Sequence, residues 1–324
     1  MNGKFSELLS LGFLISQEMV KNHGEDNYYC KYSEDSAVIC VLDGCGGLGS
    51  RTYEGCGGQT GAYLASRTVS GAIHDWYQDM GRTKWKDERE FMESLITYIQ
   101  KAYSVVGDYA KSSIKISGSM VRDLPTTIAL AYAWMKDNEL VINVVWAGDS
   151  RIYLMDEDGM CQLTRDDVKS QDALSNLYDD GALTNVLSSD GNYKLHHKVI
   201  SIKKPCVIIG ATDGCFGYLP SPMNFEYEVL RNLTDAKNIY GFRDGLKSFF
   251  KEVAGDDFTF ACMGFGYEKF SELKGSFEKR RNFVEKEYIS KIESDPDNDE
   301  LIEKLWQEYR KLYERYLSKN TEGR

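Results

Sequence analysis

The sequence of this 324-residue chain predicts an α+β fold in which antiparallel sheets are flanked by helices. Three observations point there. Short runs rich in Val, Ile and aromatics, bounded by Gly, Asp or Asn, recur through the first 265 residues. Several follow one another across hairpin-length gaps such as "MKDNEL" and "MDEDGM". Helical periodicity is confined to a few segments, without the strict strand–helix alternation of a parallel sheet.

Taken in order, strands are expected at 12–20, 36–42, 127–136, 140–147, 150–155, 197–202, 206–211 and 259–265. The segment 57–78 carries Ala62, Ala65, Val69, Ile73 and Trp76 at helical spacing, and 88–112 carries Phe91, Leu95, Ile99, Tyr103 and Val106 in the same way. A weaker helical pattern covers 240–253. After Gly266 the composition changes, with charges of both signs mixed through the chain. Phe270, Leu273, Phe277, Phe283, Ile289 and Ile292 form one stripe, "SDPDNDE" breaks it, and Ile302, Leu305, Tyr309, Leu312 and Tyr316 form a second. This predicts a main domain over 1–266 and an appended αα-hairpin over 267–324. The stripe either packs on the core or between its own helices, or it forms a surface for self-association or a partner; it is too short to mark a coiled coil.

Composition narrows the function. Hydrophobic residues make up 42% of the chain, enough for a sizeable core, and the net charge of −11 argues against a nucleic-acid partner. Eight cysteines without a C-x-x-C pair, together with four histidines, do not make a zinc site of ordinary spacing. Cys40, Cys206 and Cys262 lie inside apolar runs and read as small buried hydrophobes, which predicts reduced thiols and a cytoplasmic location. No apolar run approaches the roughly 20 residues that span a bilayer, so no membrane association is expected. The apolar N-terminus, from Leu8 to Ile15, lacks a basic flank and an Ala-x-Ala site and reads as a first strand.

The chemistry lies in carboxylates beside glycine at the ends of apolar runs: Glu25 and Asp26 in "HGEDNYY", Asp43 in "VLDGCGG", Asp149 in "WAGDSR", Asp213 in "GATDGCFG", and Asp256 and Asp257 in "AGDDFTF". A carboxylate at a strand end can point into a cleft, and glycine lets backbone approach a ligand closely. Several such groups converging would repel one another unless cations lie between them. An oxygen-only set suits Mg²⁺ or Mn²⁺. Singly, each Asp-Gly is more often a turn than a ligand. The ordered set is far more specific.

That set, "GEDN", "VLDGCGG", "PTTIALAY", "VVWAGDSRIYL", "QLTRDD", "IIGATDGCF" and "DDFTFACM", resembles the type 2C, metal-dependent protein Ser/Thr phosphatases over about residues 10–266, in a bacterial-type form. The resemblance implies an antiparallel β-sandwich flanked by helices and a two-metal centre that hydrolyses phosphoserine and phosphothreonine with a metal-activated water, without a cysteine nucleophile. It implies that Asp43 bridges both ions, that Asp213 and Asp256 complete one, and that Glu25 and the Gly44 carbonyl bind the other. Asp26 would support this shell by hydrogen bonding, and Asp149 would serve a weaker third position. A phosphorylated protein would be the substrate and a cognate Ser/Thr kinase a partner. The chain departs from the family at four places. Cys45 stands where many members have His or Met, Lys21 where Arg binds substrate phosphate, Gly217 where an Asp is usual, and Asp257 where Asn is common. Lysine keeps the charge but loses the bidentate fork, so Lys21 reads either as a phosphate contact or as a solvated charge. With Gly217 present, Asp149 could instead pair with Arg151 or cap a turn, and Asp256 and Asp257 could trade places. The polar stretch 163–198 corresponds loosely to the family's flap, and Thr126–Thr127 reads as packing beside the site. A catalytically inactive phosphoprotein-binding or regulatory module is the alternative function. A two-metal nuclease fits the carboxylates but not the acidic surface.

Overall fold

The computed structural model describes residues 11–317 apart from 35, 84, 111–121, 137 and 179–180. Leu8 and Leu9 of the expected first strand, the end of the 88–112 helix and residues 318–324 of the appended segment lie outside the described residues.

In chain order the elements are β1 (Phe13–Gln17), β2 (Asn27–Tyr32), β3 (Ser36–Leu42), β4 (Thr52–Tyr53), β5 (Gln59–Thr60), α1 (Gly61–Met80), α2 (Glu88–Ala110), β6 (Ile128–Lys136), β7 (Glu139–Ala147), β8 (Arg151–Asp156) and β9 (Gly159–Gln162). They continue with α3 (Ser175–Tyr178), β10 (His196–Ile202), β11 (Cys206–Ala211), α4 (Pro222–Asp235), α5 (Ile239–Val253), β12 (Phe258–Phe265), α6 (Phe270–Val284), α7 (Ser290–Ser294) and α8 (Asp299–Tyr313). Two five-stranded sheets form, ordered β1-β12-β11-β8-β9 and β10-β7-β6-β3-β2. All their pairings are antiparallel, as the hairpin-length gaps predict.

Strand β3 shows why the sheets stack. All seven of its residues are buried, because both faces are covered. Ala37, Ile39 and Val41 meet Ile152, Leu154, Ile208 and Ala261 of the opposite sheet. Val38, Cys40 and Leu42 pack with Val69, Ile73, Trp76, Phe91 and Leu95 of α1 and α2. A period-2 strand with apolar residues on both sides reads as a continuous run. The outer face of the other sheet, with Val207, Ile209 and Phe260, lies under Phe225, Val229 and Leu230 of α4 and Leu246 and Phe250 of α5. The molecule is therefore four layers deep, helix–sheet–sheet–helix.

Several elements were not legible in the sequence. Strand β2, "NYYCKY", is a sheet edge of mixed polarity. Strand β9 has only four residues, and β4 and β5 have two each. Helix α4 lay in an unassigned stretch, although Ser221 caps it through the Asn224 N–H and Pro222 occupies its first turn. No helix among the described residues is long and apolar enough to cross a membrane, and all eight cysteines are free thiols.

The C-terminal stripes pack inward. Leu273, Phe277, Val284, Ile289 and Ile292, and then Ile302, Leu305, Trp306, Tyr309 and Tyr313, join the cluster that covers the β1-β12-β11-β8-β9 sheet. Phe283 stays outside at 47% exposure. Helix α6 runs through a π-helical turn, Glu285–Ile289, into α7, and Asn298 caps α8 by accepting from the Leu301 N–H. A buried polar knot secures the contact. Glu226 of α4, fully buried, accepts from Nε and Nη2 of Arg280 at 2.8 Å each, from the Tyr309 hydroxyl at 2.7 Å and from the Met160 N–H at 3.0 Å. Both oxygens of Glu226 are answered by donors, so the buried carboxylate escapes the cost of an unsatisfied charge. Removing its acid would strand the Arg280 guanidinium. Glu226→Ala is therefore expected to lower the unfolding free energy by about 3–5 kcal/mol, read from urea melts; a loss no larger than that of an ordinary surface substitution would contradict the role given to the knot.

Candidate metal centre

The apolar part of β3 ends at Leu42, and the chain leaves the sheet on Asp43. Its backbone is pinned: the Asp43 N–H donates to Thr127 Oγ1 at 3.0 Å, and the Asp43 carbonyl accepts from the Thr127 N–H and from Thr126 Oγ1, each at 2.8 Å. Thr127 Oγ1 in turn pairs with Ser150 Oγ at 2.7 Å, which ties Asp43 to the Gly148–Arg151 turn. The Thr126–Thr127 pair thus sets the direction of the Asp43 side chain.

The glycines after Asp43 are required by close approach. A Cβ on Gly44 would meet the Ala62 and Glu25 carbonyl oxygens at 2.5 and 2.9 Å, and one on Gly46 would strike the Glu25 carboxylate. Glu25 therefore lies against the "DGCGG" turn. Thr60 Oγ1 donates to Glu25 Oε1, and Ser66 Oγ donates to the Glu25 carbonyl. Arg67 donates from Nη2 to the Gly24 carbonyl at 3.0 Å. Thr60, Ser66 and Arg67 were not singled out in the sequence, since nothing local connects α1 to the "GEDN" turn.

Asp26 is buried and accepts from Thr212 Oγ1 at 2.8 Å. Thr212 also accepts from the Thr259 N–H at 2.8 Å. That bond couples the β11 end, which carries Asp213 in a short 3-10 turn, to the β12 start, which follows Asp256 and Asp257. These two carboxylates separate cleanly. Asp257 accepts the Met19 N–H on Oδ1 and the Glu25 N–H on Oδ2, each at 2.7 Å. Both its oxygens are thus committed to fixing the 19–25 loop, which explains the acid where an Asn, with one acceptor oxygen, would be short of a partner. Asp256 is exposed, and its Oδ1 accepts the Asp257 N–H at 2.7 Å.

Asp149 does not pair with Arg151. The Arg151 guanidinium reaches Asp166 at 2.6 Å instead, and Asp149 Oδ1 is shielded from solvent without a hydrogen-bond partner among the described residues. Gly217 lies over the Asp213 carbonyl, with its N–H donating at 2.6 Å. Lys21 is exposed on the 19–25 loop, with no ion pair to another described residue. Cys45 is buried, and its amide donates to the Pro125 carbonyl at 3.2 Å.

Electrostatics bind these pieces together. Burial, reinforced by Asp213, Asp26, Asp149 and Asp256, pushes the Asp43 carboxyl well above the usual carboxylate range. Burial likewise raises Asp26 to about 8, against hydrogen bonds from Thr212 and Thr259. Glu25 is raised by burial and by Asp257 and Asp256, with Thr60 and Arg67 opposing; burial and Asp213 raise Asp149. Burial and the Asp43, Asp149 and Asp213 charges push the Cys45 thiol far up as well, which leaves it a neutral SH and a poor nucleophile. Among the described residues no three acidic, His or Cys side chains already close around one point. The set is a gathering of separate oxygens, each within the field of the others. Oxygen donors, mutual repulsion and an unpartnered Asp149 oxygen fit hard divalent cations that keep part of their water shell.

Comparison with known proteins gives the same fold. No family model matches the chain. Serine/threonine phosphatase stp of Listeria innocua is 24% identical over 247 residues, covering 70% of this chain and 86% of that protein. Among solved structures, serine/threonine phosphatase Stp1 from Staphylococcus aureus superposes with a TM-score of 0.56 at 17% identity, covering 82% of this chain and all of that one. The catalytic domain of serine threonine protein phosphatase PstP, in complex with two manganese ions, superposes at 0.50 with 15% identity, over 78% of this chain and 97% of that one. The chain has the fold of these type 2C phosphatases, as its motifs implied.

The raised carboxyls have a direction in pH. Between the ordinary Asp value of 3.8 and about 8, folded Asp26 keeps a proton that the unfolded chain has already lost. Folded protein then binds more protons than unfolded, so stability falls as pH rises through that window. In chelator, the melting temperature is expected to drop from pH 5 to pH 8, and Mn²⁺ should recover part of the loss at pH 8 by binding the folded state. A metal-free melting temperature that climbs over the same range would contradict this electrostatic account.

Proposed function

We propose that the chain is a metal-dependent protein Ser/Thr phosphatase that hydrolyses phosphoserine and phosphothreonine in a protein substrate. The observation that supports this reading is the placement of Glu25 against Gly44 and Gly46 of the turn that follows Asp43, of Asp26 on the Thr212 hydroxyl beside Asp213, and of a shielded Asp149 Oδ1 without a hydrogen-bond partner among the described residues. Asp43, Asp213 and Asp256 would hold one Mg²⁺ or Mn²⁺ ion, and Asp43, Glu25 and the Gly44 carbonyl a second. Asp149 would serve a weaker third. Bound there, the ions would supply charge neutralisation and a water of lowered pKa, available as hydroxide near neutral pH.

The chain's own residues do the rest. Thr126 and Thr127 fix the Asp43 backbone, Asp257 fixes the Glu25 loop, and Thr212 and Thr259 hold Asp26. Pre-positioned charge of this kind replaces covalent chemistry in phosphoryl transfer. Cys45, held as a neutral thiol, forms no phospho-enzyme. Lys21, exposed on the loop that carries Glu25, supplies a cation to the substrate phosphate. A cognate Ser/Thr kinase that makes the phosphoprotein is the implied partner, and the free thiols suit a reducing, cytoplasmic setting.

Hydrolysis of p-nitrophenyl phosphate and of a phosphothreonine peptide should need Mn²⁺ or Mg²⁺ and stop in chelator. Asp43→Asn should reduce kcat by at least about 10²–10³-fold. No turnover on either substrate, with metal binding intact by calorimetry, would favour the inactive phosphoprotein-binding module. Cys45→Ser should keep most activity; collapse in that well-folded variant would reinstate a chemical role for the thiol. Lys21→Ala should raise the phosphopeptide KM about tenfold with kcat little changed, and an unaltered KM would return Lys21 to the solvated surface.

A further inference from the structure

The C-terminal helices are joined to the rim of the carboxylate cluster by polar contacts that packing alone does not demand. Segment 163–178 borders that cluster. Asp167 and Gly148 exchange bonds: the Asp167 N–H donates to the Gly148 carbonyl, and the Gly148 N–H donates to Asp167 Oδ2, each at 3.0 Å. Gly148 precedes Asp149. The neighbouring Asp166 takes the Arg151 guanidinium at 2.6 Å and also accepts from Gln162 and Asn176. Farther along the chain, Leu187 pairs with Thr126, whose hydroxyl holds the Asp43 carbonyl. The polar stretch is thus bonded to the two turns that carry Asp149 and Asp43.

The same segment is gripped from outside by the chain's end. Asp172 accepts from the Trp306 indole N–H at 3.0 Å and from Arg310 Nη1 at 2.8 Å. Arg165 donates to the Leu317 carbonyl at 3.3 Å. Arg151 Nη1 reaches the Tyr313 hydroxyl at 3.4 Å. Trp306 and Tyr313 are fully or almost fully buried, so these donors are held in fixed directions. Two routes therefore connect α8 to the Gly148–Arg151 turn: one through Asp172 and Asp167, and one directly through Tyr313 and Arg151.

We propose that α8 is a positioning element for the substrate side of the centre, with Trp306 and Arg310 holding segment 163–178 through Asp172, and Tyr313 holding the Gly148–Arg151 turn through Arg151. The polar segment would otherwise pay conformational entropy to stay ordered. Carboxylate contacts to a buried indole and a guanidinium supply the restraint. The role rests on the phosphatase reading only for its kinetic consequence; the restraint itself is a property of the fold.

Hydrogen exchange on the full chain, without metal or substrate, tests the restraint independently of turnover. Two variants break the grip from opposite sides: Asp172→Ala on the segment, and Trp306→Phe combined with Arg310→Gln on the helix. Trp306→Phe combined with Arg310→Lys keeps a cation for Asp172. In the first two, amides of 164–177 and 148–151 should exchange about tenfold faster, with β11 and β12 unchanged, and the lysine variant should recover much of the protection. With phosphatase activity established, phosphopeptide KM should rise about fivefold, while kcat for p-nitrophenyl phosphate stays within about twofold. Exchange indistinguishable from the parent in both breaking variants overturns the proposal. Faster exchange with an unaltered phosphopeptide KM in an active enzyme overturns its substrate-side role.

Discussion

Like charges that burial forces together at one end of a β-sandwich are the constraint on which the rest of this structure depends. Burial raises the cost of ionising Asp43, and the charges of Asp213, Asp26, Asp149 and Asp256 add to it; Asp213 does the same to Asp26 and Asp149. A fold tolerates such a cluster only if something else fixes the backbone that carries it. Here the fixing is done by neutral hydrogen bonds one step behind the carboxylates. Thr126 and Thr127 hold Asp43, Thr212 holds Asp26, Thr60 holds Glu25, and Asp257 spends both its oxygens on the amides of Met19 and Glu25. Cations bound there would relieve the repulsion, as the proposed metal-dependent function requires.

The layered fold makes that arrangement possible. Strands β3, β8, β11 and β12 all deliver acidic or acid-supporting residues at or beside their ends, and their inner residues pack across the two sheets. Glycines appear where backbone must approach side chain, as at Gly44 and Gly46 against Glu25. At Gly148, a positive φ of 97° turns the chain beside Asp149. Cys45 sits in the 43–47 turn as a buried neutral thiol, beside the charges that would have to be overcome to ionise it.

The chain after residue 266 belongs to the same physical object. Its apolar stripes complete the cover of one sheet, and its buried polar groups meet partners on α4, β8 and the 163–178 segment. Those partners lie more than 80 residues away in sequence. Nothing in the local pattern of Trp306 or Tyr313 reveals that an indole and a phenol will face Asp172 and Arg151.

Much of the fold was legible because its causes are local and periodic. Strands 36–42 and 206–211 were read with the bounds the structure gives them, since both faces are apolar. The exposed edge β2, the short β9 and helix α4 were not, because mixed polarity and short length leave little period to read. The candidate site was legible as a set, since each acid stands beside glycine at the end of an apolar run. How the two acids of the Asp256–Asp257 pair divide their hydrogen bonds was not, nor was the partner of Arg151. Those are settled by contacts between segments brought together only by folding: Asp257 by two amides on the far side of the chain, and Arg151 by Asp166. By itself the sequence determined the longer apolar strands, the acidity and the motif set, because these depend on residue type and spacing. The tertiary structure alone decided which oxygens are already committed and which remain free for a ligand, because hydrogen-bond satisfaction is a property of three-dimensional neighbours.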